Sequence, residues 1–387
     1  MESQKHLFDL PPDLHYLNCA YMAPVSHRVA DAAHAAIDRL RVPSRLGPSD
    51  FFDQSDDVRR LFARVIGAAD SERVAIVPSV SYALSTVAHN TPLAAGQSVV
   101  VLDEQFPSNV YTWRRACDAV GATLKTVAAP EIGDGRGRRW NEALLDAIDE
   151  QTAVVAIPEV HWTDGTRFDL TRVGAKARAC GAKLVIDATQ SVGAMPFDFQ
   201  GIQPDAVVCA GYKWLMGPYS IGLAYFGPAY DDGVPIEENW ITRRGSQDLS
   251  SLVRYQEEYQ PGAVRFDVGE RSNFVLMPML KAGLSQVLNW GPAAIQAHCQ
   301  DLISDVIPRL RDLGAWIESD AYRAAHLFGV RLPPGHDMKT VQTALTARQV
   351  SVSVRGNAVR VAPHVYNDAA DLDALVDSLR DVITEGR

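Results

Sequence analysis

Apolar residues along this chain recur in two alternating patterns. Largely apolar runs occupy residues 74–77, 98–102, 153–158, 184–186, 206–210 and 221–226, and a further strand is expected near 123–127. Runs that short, without polar alternation, predict strands buried on both faces, as in a parallel sheet covered by helices. Between and around them the period changes to that of a helix. It predicts helices over 28–40, 55–66 and 141–149, over 170–180, and in segments ending at 90 and 120. The second of these opens on Ser55, Asp56 and Asp57, acids suited to a helix N-terminus.

The ends of the chain read differently. Pro11, Pro12 and Pro24 prevent a continuous helix over residues 1–27, which therefore form an irregular arm. Residues 230–273 carry little periodicity. Beyond them come a helix at 278–290, helical patterns to 314, at 338–348 and at 369–385, and strands at 327–330, 350–354 and 358–361. The expectation is an α/β chain with a large domain over 28–277 and a small C-terminal α/β domain over 278–387. No internal repeat or low-complexity tract interrupts it.

Composition narrows the partners. With 47% hydrophobic and 22% charged residues the chain can bury a substantial core. A formal charge of -10 opposes bulk attraction to a polyanion, so nucleic acid is not an expected partner. The basic spot Arg136 to Arg139 is expected to be a solvated loop. Five scattered cysteines, Cys19, Cys117, Cys180, Cys209 and Cys299, form no C-x-x-C pair and point to neither structural zinc nor a disulfide framework; no metal is expected. There is no apolar leader and no membrane-length apolar run, so a cytoplasmic location without membrane insertion is expected.

Candidate chemistry centres on two strand ends. The run at 184–186 closes on Asp187, and the run at 206–210 closes on Gly211, Tyr212 and Lys213. Ligands of open α/β sheets sit beyond the carboxyl ends of strands, which would bring this acid and this lysine to one crevice. Pyridoxal phosphate (PLP) needs such a pair: an amine to carry its aldehyde carbon, and a carboxylate to keep its pyridine nitrogen protonated. The segment 78–82 after the first strand opens a helix, where the free amides of Val80 and Ser81 can hold a phosphate.

Around these residues the sequence Asp187-Ala188-Thr189-Gln190, followed by Gly211-Tyr212-Lys213-Trp214 and the turn Gly217-Pro218, resembles the class V aminotransferase family. That family has the fold-type-I PLP-dependent architecture, a large domain with a mostly parallel seven-stranded sheet and a small α/β domain. The resemblance implies that Lys213 carries PLP and acts as base, that Asp187 holds the pyridinium, and that Gln190 tunes the ring oxygen. It also implies that Phe106 stacks on the ring and that Tyr212 and Ser81 hold the phosphate. Relatives with desulfurase activity have a histidine where Phe106 stands, whereas kynureninase-like members carry the F-P-S pattern of 106–108. The segment at 16–24 occupies the place of the family's opening motif, so Ala20 and Tyr21 are expected at the substrate pocket. Trp162 falls where many members have an asparagine, and neighbouring His161 reads as a structural histidine.

Two further segments follow from the resemblance. Residues 264–273 resemble a turn that reaches the other subunit's phosphate, implying a homodimer with shared active sites and roles for Ser272 and Asn273 beside Arg271 and Trp240. The tail 358–367 matches the signature whose arginine, here Arg360, binds the substrate α-carboxylate. The implied substrate is a small-molecule α-amino acid. Aminotransfer or carbon–carbon cleavage is expected first, with epimerisation resembling that of isopenicillin N epimerase, or a catalytically silent PLP-binding protein, as alternatives. A persulfide route is not expected, because 349–360 lacks the loop cysteine of the family's desulfurases.

Overall fold

The computed structural model describes residues 1–385. Its strands, in chain order, are β1 (His15–Tyr16), β2 (Val74–Val77), β3 (Ser98–Leu102), β4 (Thr123–Val127), β5 (Thr152–Pro158), β6 (Lys183–Asp187), β7 (Ala206–Ala210), β8 (Gly222–Phe226), β9 (Phe328–Arg331), β10 (Val350–Ser351), β11 (Ser353–Arg355) and β12 (Ala358–Val361). Strands β2 to β8 form one sheet in the order β2-β8-β7-β6-β5-β3-β4. The run from β7 through β6, β5 and β3 to β4 is parallel. Only β8 opposes its neighbours, lying antiparallel between β7 and β2. The expected mostly parallel seven-stranded sheet is therefore present. All residues of β2, β3, β7 and β8 are buried, which is why these strands read as unbroken apolar runs.

Because β2 runs in the same sense as β7, six strands present their carboxyl ends along one edge of the sheet, and five of them lead into the site. The segments leaving β2, β3, β5, β6 and β7 there are those at 78–81, 105–108, 160–162, 187–190 and 210–213. The sheet's connectivity reverses between β3 and β5, the kind of switch point at which open sheets form clefts. Helix α1 (His27–Leu40) is capped by the Ser26 side chain, α2 (Asp53–Ile66) ends on Gly67 in the left-handed region, and α3 (Val80–His89) is capped by Ser79.

A second sheet, β11-β12-β9, is antiparallel with β12 in the middle. The N-terminal arm packs onto the same region. Strand β1 pairs in parallel with β10, Asn18 bridges to Ala362, and Asn367 Nδ2 donates to the Tyr16 carbonyl at 3.0 Å. The long helix Leu276–Trp290 packs against α1 and α2 and leads into this C-terminal part.

Some expectations need correction. The strand expected at 350–354 is two short strands, because β10 turns to the arm and β11 to β12. The helix expected from 141 spans Arg136–Ala147, so the basic spot at 136–139 is no solvated loop. Arg136 is buried, pairs with Asp164 at 3.2 Å, donates to Thr166 Oγ1 and lies over the Trp140 ring. A buried carboxylate from a distant loop outweighs the preference of arginine for water. Arg271 is also buried, and Asp267, shared with Arg59, holds it.

Candidate active site

Asp187 is the last residue of β6 and Lys213 lies three residues beyond β7, and both side chains line one cavity of about 350 Å³. Asp187 Oδ1 accepts the Thr189 amide at 3.1 Å, a turn that fixes the carboxylate at the strand end. Burial pushes its carboxyl above the usual carboxylate range, opposed by the Thr189 hydrogen bonds and by Lys213. Burial also draws Lys213 down to about 8; the Arg360 charge adds to this and Asp187 opposes it. No ion pair joins the two among the described residues. Each is thus a buried group whose charged form lacks a full partner.

The loop between them is held tightly. Gln190 Oε1 accepts from Trp214 Nε1 at 2.9 Å and its Nε2 donates to the Ala20 carbonyl at 3.2 Å, joining loop, lysine turn and arm. His326 Nε2 lies 2.7 Å from the Gln190 carbonyl. Gly193 has φ +96°, and a Cβ there would sit 2.4 Å from the Trp214 carbonyl oxygen, so only glycine allows this approach.

At the other end of the cavity is the N-terminus of α3. Ser79 Oγ accepts from the Tyr82 amide at 3.1 Å, and Ser81 Oγ donates to Ser108 Oγ at 2.9 Å. The amides of Val80 and Ser81 precede the helix's own hydrogen-bond ladder, and both residues line the cavity. Tyr212, Ser108 and Ser220 line the same cavity. The Phe106 ring packs edge-on to Trp162, with centroids 5.4 Å apart, and lies 5.8 Å from Lys213 Nζ. Trp162 Nε1 donates to the Glu104 carbonyl at 2.7 Å. His161 is fully buried between Thr163 Oγ1 at 2.8 Å and the Asp103 carbonyl at 3.1 Å, the structural histidine expected.

The cavity continues past Phe106, Trp162 and Lys213 into an outer chamber of about 330 Å³ lined by Tyr21, Met22, Arg355 and Arg360. Arg360 projects from the central strand β12 and is 1% exposed. Its Nη1 donates to the Trp162 carbonyl at 3.0 Å and its Nη2 to Ser353 Oγ at 3.3 Å. Among the described residues no carboxylate pairs with it, and burial together with Arg355 pulls its guanidinium down to about 9. Thus Lys213, Asp187, Gln190, Phe106, Val80, Ser81, Tyr212, Trp162, Tyr21 and Arg360 all line the two chambers.

Ser272 and Asn273 do not reach this pocket. Ser272 Oγ donates to the Phe51 carbonyl at 2.6 Å, and Asn273 Oδ1 accepts the amides of Val275 and Leu276. Trp240 packs on Phe51 and Phe52 near them. Lining residues that escaped the sequence include Ser108, Thr189, Tyr219, Ser220 and Arg355. Tyr219 stacks beside Tyr212 with centroids 4.6 Å apart, and its place just after the Gly217-Pro218 turn was the available signal.

These residues fit PLP. A buried, partnerless carboxylate suits a pyridinium, a buried amine suits a carbonyl carbon, and helix-terminal amides with hydroxyls suit a phosphate. Residues 46–375 match the family described as Aminotransferase class-V. An uncharacterized aminotransferase, YcbU, of Bacillus subtilis is 26% identical over 84% of this chain and 83% of its own length. Isopenicillin N epimerase of Amycolatopsis lactamdurans is 25% identical over 96% of each chain. Among solved structures, the apo cysteine desulfurase of Thermococcus onnurineus superposes with a TM-score of 0.83 at 19% identity, covering 100% of this chain and 99% of that one. A C-DES mutant with glycine covalently linked to the PLP cofactor superposes with a TM-score of 0.84 at 17% identity, covering 98% and 99%. With the strand-end acid and lysine in one cleft and the family match running over most of its length, the chain belongs to the class V aminotransferases, PLP-dependent enzymes of this α/β fold.

Proposed function

We propose that this protein converts an α-amino acid by aminotransfer or carbon–carbon cleavage, with Lys213 carrying PLP and Arg360 holding the substrate α-carboxylate. The observation that carries the reading is Arg360: a buried guanidinium without a carboxylate partner that opens on the same pocket as Lys213. A planar fork of donors is suited to bidentate capture of a carboxylate, and a desolvated cleft strengthens that pair.

PLP supplies the electron sink that makes bonds at the substrate Cα labile. The chain's own residues do the rest. Asp187 would keep the ring nitrogen protonated, a task for which a buried carboxylate with no ion-pair partner among the described residues is suited. Lys213, drawn to about 8, is unprotonated in a useful fraction near neutral pH, and its Nζ can then take and return the Cα proton. Phe106 and Trp162 would help shield the bound cofactor from water, and Arg360, by holding the α-carboxylate, would select which bond at Cα is made labile.

Epimerisation is the second reading, supported by the match to isopenicillin N epimerase along nearly the whole of both chains. Desulfuration through a persulfide is disfavoured, since no cysteine lines either chamber among the described residues and Cys299 is fully buried. A silent PLP-binding protein is disfavoured by the complete set of Lys213, Asp187 and Arg360. The test is to reconstitute the protein with PLP, add a panel of amino acids, and follow absorbance with product masses. A keto acid or a cleaved fragment is expected; an inverted centre alone would establish the second reading. Borohydride reduction should tag Lys213, and a tag on a different lysine would remove the assignment.

A further inference from the structure

The outer chamber holds one cation more than an α-carboxylate requires. Arg355 ends β11, and the β11–β12 register pairs Ser353 with Arg360 and Arg355 with Ala358. Alternate residues of a strand share a face, so Ser353 and Arg355 lie on the face that carries Arg360. Arg355 and Arg360 are therefore diagonal neighbours, a relation that sets backbones about 7–8 Å apart and leaves long side chains within reach of one another. Both guanidinium groups lie over the same ring, Trp162, at 5.5 and 5.9 Å from its centroid.

The electrostatic balance is one-sided. Arg355 Nη1 donates only to the carbonyl of Val354, at 2.8 Å, and among the described residues no carboxylate pairs with either arginine. The outer chamber contains Lys213, Arg355 and Arg360 and no acid, in a chain whose formal charge is -10. Two like charges held over one indole repel, and an anion at each relieves that repulsion. The α-carboxylate assigned to Arg360 answers one of them.

We propose that Arg355 is a specificity residue that binds a second anionic group on the substrate side chain, so that the preferred substrate class is an acidic, aspartate- or glutamate-like α-amino acid. This rests on the reading of Arg360 and Lys213 given above. Arg355 lines the outer chamber beside the hairpin turn, where Gly356 has φ +56°.

The experiment compares the PLP-loaded protein with its Arg355→Ala and Arg355→Lys variants. Substrates are L-aspartate and L-glutamate against their neutral isosteres L-asparagine and L-glutamine, and absorbance and turnover are followed. In the unaltered protein the acids are expected to bind more tightly than the amides. In Arg355→Ala the ratio of acid to amide apparent affinity should fall about ten- to a hundredfold, the loss of one charge-assisted hydrogen-bonded pair. Arg355→Lys should retain part of it, because a point charge replaces a fork. A preference for amides, or a ratio unchanged because acids and amides weaken together, overturns the proposal; in the latter case both arginines hold the single α-carboxylate. These outcomes leave Lys213 chemistry standing. A protein that shows no spectral response to any amino acid and no borohydride tag on Lys213 overturns this proposal together with the reading beneath it.

Discussion

Arg360→Lys is a test of geometry more than of charge. The lysine ammonium keeps the positive charge but cannot hold both the Trp162 carbonyl and two carboxylate oxygens from one plane. Removing the guanidinium outright, as in Arg360→Ala, costs about 2–5 kcal/mol, so kcat/KM for α-amino acids should drop by roughly thirty-fold to several thousand-fold, and by part of that in Arg360→Lys, while PLP absorbance persists. A similar loss toward simple amines would show that Arg360 acts on the cofactor instead. Lys213 gives a second test, this time of stability. Its folded pKa, about 8, lies below the ordinary value of 10.5, so the fold disfavours the charged amine. The cost is fully present below pH 8 and is relieved as pH rises from 8 toward 10.5. Without PLP, Lys213→Met should therefore be the more stable protein at neutral pH, by on the order of 3 kcal/mol, and the difference in Tm should vanish at the alkaline end. A constant difference across pH would remove burial of the amine as its cause. Asp187, Lys213 and Arg360 were legible because each is anchored at or within an apolar run by local sequence. Arg355 and Ser108 were not, since their place depends on strand register and on the meeting of two turns. Arg136 misled for another reason: charge in a sequence signals solvent unless the buried acid that answers it, Asp164, is already known.

Among elements, the turn after β5 has the most to connect. It carries Trp162 to the cavity, and its Asp164 carbonyl accepts the Gly329 amide of β9 at 3.0 Å while the Gly165 carbonyl accepts from Ala324 at 3.0 Å. Gly165 has φ +77°, and a Cβ there would lie 1.9 Å from the Leu327 carbonyl oxygen. Gly165→Ala must displace main chain on both sides, at a cost above the usual ~1 kcal/mol of a left-handed alanine. It should lower Tm and weaken substrate response together, because Arg360 donates to the Trp162 carbonyl in the same turn. An unaltered Tm would mean that the turn relaxes freely. The strands were read nearly to the residue from their apolar runs, whereas the split of 350–354 was hidden, since the two halves differ only in which distant strand they meet.

At the scale of the whole molecule, Ser272 and Asn273 face away from the pocket of their own chain, so their expected role requires a second copy. Asn273→Asp keeps an acceptor for the Val275 and Leu276 amides and places a negative charge where the resemblance sets a partner's phosphate. Asn273→Asp and Lys213→Ala should each be inactive alone, and activity should appear on mixing and exchanging the two, as one pocket then has both an intact lysine and an intact neighbouring turn. No recovery, with exchange verified by mass, would place the site within one subunit.

The pairing of β1 with β10 has a consequence for the order in which the protein comes into being. Residues 15–16 leave the ribosome early, yet their strand partner is residues 350–351, and Asn18 bridges to Ala362. The strands that place Asp187 and Lys213 are complete by Phe226, well before residues 350–362 are made. The wall bearing Tyr21 cannot settle until residues 350–362 have been made. A nascent chain should therefore acquire its capacity for PLP before its power to tell one amino acid from another.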